Sequence, residues 1–303
     1  MERRYALVVN PKAGTRNIEE KKEKLRPAME IFNVNELYGL DTKSPEEFRS
    51  CVSDLAKSGK VDVLGLCGGD GTSNEGINSD IGDSNVAFAF LPLGAGNAMP
   101  HSVGYSALSI KRSAERIAKG SVHELDLVLC DNNLKAMFAS VGIDSYILSK
   151  RDELQREGHN GFVAYAKATW DIYRNGYERL DTIVRVDNEK FVVPDNLLII
   201  VTKFPCYGYG LNVVPKADMT DGNLHLNCVS DRGIVNTAYG IATGFRYRIN
   251  PKFGGCRVGE YKSGKRVTIT TPKEVLLETD GTVIREGCEF EFEVIPRGLR
   301  LVY

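Results

Sequence analysis

The chain has 303 residues, 42% hydrophobic and 26% charged, the profile of a soluble globular protein long enough for two domains with separate cores. Lys+Arg 39 against Asp+Glu 40 gives a net charge of -1. That excludes a global field for nucleic acid or an anionic membrane, so any membrane contact is local.

The longest apolar run, Val86 to Leu93, is broken by Pro92 and is too short to span a bilayer. Met1-Glu2-Arg3-Arg4 leads straight into a strand-like run, without the apolar stretch of a secretion signal, so the expected location is the cytoplasm. Seven cysteines, an odd number with no Cys-x-x-Cys pair, argue for reduced thiols rather than a disulfide framework or a zinc site. The histidines (His101, His123, His159, His225) lie far apart and are read as structural or surface groups.

Strand and helix signals alternate through about the first 120 residues. Ala6 to Val9 reads as a buried strand ending at Asn10-Pro11, followed by a charged helical stretch through Lys21, Lys22 and Lys24. Pro45 to Lys57 has helical spacing at Phe48, Val52 and Leu55, with Ser44 as N-cap and proline at the first helical position. Val61 to Leu66 and Val86 to Leu91 read as strands. Ser106 is the expected cap of a helix carrying Ala107, Leu108, Ile110, Ala114, Ile117 and Ala118 on its apolar side, stopped by Gly120.

Such alternation implies a parallel sheet with ligands beyond the carboxyl ends of its strands. Asn10-Pro11-Lys12-Ala13-Gly14, Gly68-Gly69-Asp70-Gly71-Thr72 and Gly94-Ala95-Gly96-Asn97 all follow strands, so they are expected to line one crevice. In the second of these, glycines permit positive φ and close approach of a ligand, and the following helix start favours an anion. The acid among them, Asp70, points beyond a plain phosphate site to Mg²⁺-bound phosphate or to a hydroxyl about to be phosphorylated.

From about His123 the period changes to two: Leu125, Leu127 and Leu129 alternate with acids, as do Phe290, Phe292 and Val294 with Glu289, Glu291 and Glu293. Half-exposed antiparallel strands are expected there, with helical breaks at Gly161 to Tyr173 and Gly233 to Gly244. The domains are placed at 1–122, an α/β unit, and 123–303, a mostly β unit, with the last strand free to return to the first.

Asp221-Gly222 and Asp280-Gly281 read as hairpin turns or as site residues. Asp218 and Asp221 are either oxygen ligands for Mg²⁺ or Ca²⁺ or solvated loop acids. Gly259 to Arg266 imitates a Walker A loop, but Arg266 replaces the required hydroxyl residue and a strand follows, so it is set aside.

Together these residues resemble the diacylglycerol kinase catalytic family, which includes bacterial lipid kinases, ceramide kinases and sphingosine kinases. The match runs through Asn10-Pro11-x-x-Gly14, Thr42, Gly68 to Thr72 with Asn74-Glu75, Pro92-Leu93-Gly94-x-Gly96-Asn97, Asp126, Gly142-Ile143-Asp144, Asp221-Gly222-x-Leu224 and Asp280-Gly281. The resemblance implies an α/β domain with a parallel sheet, of the NAD kinase/diacylglycerol kinase-like type, plus a mostly β, sandwich-like C-terminal domain, with nucleotide bound between them.

It also implies γ-phosphoryl transfer from MgATP to a lipid hydroxyl. By motif position, Asn10, Gly14, Thr42, Gly68, Gly69, Gly71, Thr72, Glu75, Gly94, Asn97 and Gly281 would surround ATP, with Asp70 and Asp280 catalytic. Asp126 would join a polar network, Asp144 would face the acceptor, and Asp218, Asp221 and the Asn223 carbonyl would hold a structural Mg²⁺.

Where many relatives read Asp-Gly-Glu this chain has Asp280-Gly281-Thr282, and a threonine cannot act as a base. NAD kinase, which shares the Gly-Gly-Asp-Gly-Thr turn, and a binding protein without transfer activity are the alternatives. The expected partners are a lipid and, transiently, a membrane surface, with a homodimer compatible and no nucleic acid. Phe204 to Tyr209 and Phe245 to Arg248 suit such an interface or, equally, ordinary half-buried aromatics.

Overall fold

The computed structural model describes residues 3–14, 16–94, 96–104, 109–159, 161–249 and 255–303. The chain forms two compact units. The first runs to Leu125 and adds Gly208–Gly210 and Arg297–Tyr303; the second holds Asp126–Tyr207 and Leu211–Pro296.

The first unit contains β1 (Tyr5–Val9), α1 (Ile18–Phe32), β2 (Leu37–Tyr38), α2 (Pro45–Lys57), β3 (Val63–Gly68), α3 (Asp70–Ile77), β4 (Ala87–Pro92), α4 (Ala98–Ser102) and α5 (Ile110–Lys119). Its strands are parallel in the order β2-β1-β3-β4. Both faces of β3 and β4 are buried, as in a sheet covered by helices.

Local chemistry sets the helix starts. Asn17 and Glu20 cap α1 reciprocally, and Ser44 caps α2 with Pro45 at its first position, as expected. Ser106, Ala107 and Leu108 lie outside the described residues. The helix they were expected to begin starts at Ile110, capped by Ser109, and buries Ile110, Ala114 and Ile117.

The second unit takes in the end of β5 (Val122–Cys130), β6 (Leu134–Ala136), β7 (Phe138–Gly142), α6 (Ile143–Arg156), α7 (Gly161–Asp171), β8 (Leu180–Val186), β9 (Glu189–Thr202), β10 (Leu224–Ser230), α8 (Ile234–Ile249), β11 (Glu260–Gly264), β12 (Arg266–Thr279) and most of β13 (Thr282–Val302). Its pairings are antiparallel, with β9 joining β7, β8 and β10, and β12 joining β7, β8 and β13. The last residues of β13 belong to the first unit, where Leu301 pairs in parallel with Phe88.

Phe290 and Phe292 point into the sandwich core while Glu289 and Glu291 face out, matching the two-residue period. Each such phenylalanine contributes about 1.5–3 kcal/mol by leaving water. Along β5 the alternation fails: Leu125, Asp126, Leu127 and Val128 are all buried, so this strand is covered on both sides. Gly259 to Arg266 lies on β11 and the start of β12, which leaves no helix for a Walker loop. Helix α6, rich in polar residues, had no signal in the hydrophobic pattern.

Candidate active site

At the carboxyl ends of β1, β3 and β4 the three expected loops come together, tied by backbone bonds. The Gly68 carbonyl accepts from the N–H groups of Leu93, at 2.8 Å, and Gly94, at 3.1 Å. Asn10 Nδ2 donates to Thr72 Oγ1 at 3.0 Å, and Asn10 Oδ1 accepts from the Lys12 amide.

Gly68, Gly69 and Gly71 do not take the left-handed backbone expected of them. A Cβ on Gly94 would lie 2.6 Å from the Gly69 Cα, and one on Gly68 would lie 2.1 Å from Thr72 Oγ1. Contact between the loops therefore demands glycine at 94, and the tight turn into α3 demands it at 68. Gly14 does take positive φ, +67°, and packs against the Leu93 carbonyl.

Asp70 opens α3, and its Oδ1 accepts from the Ala98 amide at 2.6 Å. Burial pushes its carboxyl up to about 6, against the opposing pull of backbone N–H groups at Ala98, Asn97 and Asp70 itself. A carboxylate poised there is ionised at neutral pH yet able to take a proton. Asn97, at φ +50°, steadies its own loop by donating to the Gly94 carbonyl.

The remaining predicted nucleotide residues of this unit are committed locally. Thr42 Oγ1 donates to the Gly39 carbonyl, and Glu75 is ion-paired with Arg49 of α2. Sequence reasoning missed Lys21, which is buried on α1 with its ammonium donating to the Pro11 carbonyl and so braces the first loop. A separate cleft of about 620 Å³ lies at the amino ends of these strands, where Arg4 is paired with Asp62 and Lys57 with Asp80.

In the second unit Gly142 ends β7 with φ +156°, and Asp144 opens α6. A Cβ on Gly142 would meet the Leu197 carbonyl at 2.6 Å, so the motif's glycine is set by backbone crowding. Asp144 Oδ2 accepts from Ser140 Oγ and from the Tyr207 hydroxyl, at 3.2 Å. Glu278 Oε1 accepts from the same Ser140, at 3.0 Å, and the same Tyr207, at 2.5 Å.

Burial pushes both carboxyls above the ordinary range, Glu278 further, because Asp144 adds a second negative charge beside it. Glu278 and Ser140 carried no motif, and Tyr207 was marked only as part of the aromatic stretch Phe204 to Tyr209. Phe204 and Cys206 are buried, while Pro205, Tyr207, Gly208 and Tyr209 of the same stretch are half-buried.

Asp280 and Gly281 form the two-residue turn between β12 and β13, with φ of +48° and +83°. The Asp280 carboxylate is fully buried and accepts from the amides of Met137 and Phe138. Gly281 N–H donates to Glu278 Oε2 at 2.9 Å. The pair reads as a structural turn that ties Glu278 in place.

The residues assigned to a structural Mg²⁺ do not fit it. Lys203, whose side chain is fully buried, donates to Asp221 Oδ1 at 2.7 Å and to the Asn223 carbonyl at 2.5 Å. Its Nζ also lies 3.1 Å from Asp126 Oδ2. Two of the three expected ligands thus already hold an ammonium, and Asp218 is turned onto its own loop, accepting from Thr220. Partial burial raises the Asp221 carboxyl, but hydrogen bonds from Lys203 and Asn223 and the charges of Lys203 and His225 outweigh it, leaving it well below the carboxylate range.

Among the described residues no group of three His, Cys, Asp or Glu could hold an ion unaided. At the glycine loops Asp70 is one available carboxylate, and Mg²⁺ is commonly held by one or two carboxylates plus substrate phosphates.

Residues 4–130 match the family model described as "Diacylglycerol kinase catalytic domain", and residues 138–303 match "YegS C-terminal NAD kinase beta sandwich-like domain". A Staphylococcus aureus protein named "Putative lipid kinase" is 23% identical over 250 residues, 80% of this chain and 77% of its own. An uncharacterized Synechocystis protein is 22% identical over 97% of this chain and 69% of its own. The crystal structure of a Bacillus anthracis protein described as a "putative diacylglycerol kinase" superposes with a TM-score of 0.74 at 22% identity, covering 99% of this chain and 97% of that one, which establishes the shared fold. The two models together span nearly the whole sequence, and the chain belongs to the diacylglycerol kinase catalytic-domain family.

Proposed function

We propose that the chain is an ATP-dependent lipid kinase, transferring the γ-phosphoryl group of MgATP to a hydroxyl of a lipid such as diacylglycerol or a sphingoid base. Asp70 carries this reading: a single acid with a carboxyl raised to about 6, held by the Ala98 amide amid loops stripped of side chains. Phosphoryl transfer asks chiefly for positioning and neutralised charge, so backbone N–H groups of these loops and one well-placed base suffice.

In this scheme Asn10, Gly14, Gly68, Gly69, Gly71, Thr72, Gly94 and Asn97 hold the nucleotide, with Thr42 and Glu75 shaping the loop surroundings. Asp70 would hold Mg²⁺ together with the phosphates of ATP, and the ion would supply neutralisation of the phosphate charge. Asp70 takes the proton of the attacking hydroxyl as the new O–P bond forms and ADP departs. Asp144, with Glu278, Tyr207 and Ser140, recognises the acceptor's polar head. The Glu278 carboxyl supplies the second unit with an acid that Thr282 cannot.

The test is incubation with γ-labelled ATP and total lipid or NAD, with products identified by mass spectrometry. Label in a lipid that disappears in Asp70→Asn supports the proposal. Label on NAD alone identifies the NAD kinase alternative, and nucleotide binding without transfer to any acceptor identifies a binding protein.

A further inference from the structure

We propose that the outward face of α8 docks on anionic lipid bilayers. The helix is inside out. Its small residues Gly240, Thr243 and Gly244 are buried, while Ile234, Val235, Tyr239, Ile241 and Phe245 are exposed, Val235 by 81%. A helix on a soluble protein normally turns its apolar stripe toward the core.

Contacts on the inner side explain why the small residues are required. A Cβ on Gly244 would lie 2.6 Å from Leu211 Cδ1, and one on Gly240 would lie 3.2 Å from Val258. The Gly244 carbonyl accepts from the Asn212 amide at 3.2 Å, and Thr243 Oγ1 accepts from the Arg257 amide at the same distance. The backbone is thus drawn close against its own unit, and the large side chains are left facing out. Among the described residues nothing covers them.

Charge identifies the occupant. Between Arg232 and Gly259 the sequence has five cationic residues (Arg232, Arg246, Arg248, Lys252 and Arg257) and no Asp or Glu, in a chain whose overall charge is -1. Asp231, just before this stretch, is already paired with Arg179 at 2.8 Å. An apolar helical face with Arg232 and Arg257 exposed beside it, in a stretch of sequence rich in cations and free of acids, suits the interface of an anionic bilayer, where side chains enter the acyl boundary and cations meet the headgroups. A second copy of this chain would present the same positive charge and be repelled.

The partner's chemistry is consistent with the kinase reading above, on which this proposal partly rests, but its test needs no turnover. The full-length chain is mixed with phosphatidylcholine vesicles, with or without phosphatidylglycerol, and bound protein is measured by flotation. Binding to the anionic vesicles is expected, weakened by salt, and reduced at least about tenfold in the exposed-surface variant V235S/I241S.

Equal partition of variant and parent, or failure of the parent to bind anionic vesicles, overturns the proposal. So does a parent dimer in sedimentation that the variant splits while vesicle binding is unchanged. Vesicle binding that depends on Val235 and Ile241 without phosphorylation of any lipid supports this surface and counts against the kinase reading.

Discussion

The Asp70 carboxylate accepts the backbone N–H of Ala98 at 2.6 Å, binding the first residue of α3 to the first residue of α4. That bond joins two phosphate-type loops through the acid proposed to act on the acceptor. Asp70→Asn keeps an oxygen for the Ala98 amide while removing the base. The expected result is a fall in kcat of about 100- to 10,000-fold with the KM for ATP little changed, read by steady-state kinetics.

The same carboxyl sets a pH dependence with opposite signs for rate and stability. Lipid phosphorylation should rise as pH passes through about 6, where Asp70 ionises, and then level off. Its folded value lies above the ordinary 3.8 of an aspartate, so the native state holds a proton that the unfolded chain releases. The associated stability is complete below about 4 and is lost as pH climbs through about 6, at most about 3 kcal/mol. Asp70→Asn should therefore lose less stability than the parent between these values in denaturant titrations.

Asp144 and Glu278 share Ser140 and Tyr207 as donors. Glu278→Gln preserves the carbonyl acceptor and removes a charge, so the fold should persist. Because both carboxyls are raised by burial, their contribution to stability also weakens with rising pH, and this variant should be the more stable above neutrality. The KM for the lipid should rise by about 10- to 100-fold with the KM for ATP unchanged.

Lys203 donates to two of the three oxygens expected to hold a metal in the 218–223 loop. Chelation with EDTA in the absence of nucleotide should leave the unfolding midpoint where it is. Lys203→Met removes the ammonium from between Asp126 and Asp221, two acids left without their cation, and should cost about 3–5 kcal/mol in denaturant unfolding.

Much of the first unit was legible because its signals are local. Strand ends, caps and glycine turns are each written within a few residues, so Asp70 at the head of α3 and Pro45 at the head of α2 follow from sequence. What the glycines do was not legible: their need comes from Gly69 meeting Gly94, a contact between loops remote in sequence.

The second unit was harder for the same reason. Asp144 carried a motif, but Ser140 and Glu278 are brought together by the antiparallel pairing of β7 with β12, and Tyr207, marked in sequence only as one of an aromatic stretch, joins them from the loop after β9. A lone lysine after an apolar strand gives no hint that it will bind Asp126, Asp221 and the Asn223 carbonyl. The inverted face of α8 escaped because a run of apolar and small residues reads alike whether it faces the core or the solvent.

The most direct measurement is a crystal structure with ADP and magnesium bound. The account predicts the β-phosphate within hydrogen-bond distance of backbone N–H groups in the Gly68–Thr72 loop, beside Asp70. A nucleotide bound instead in the cleft at Arg4 and Arg300, with the glycine loops empty, would contradict it.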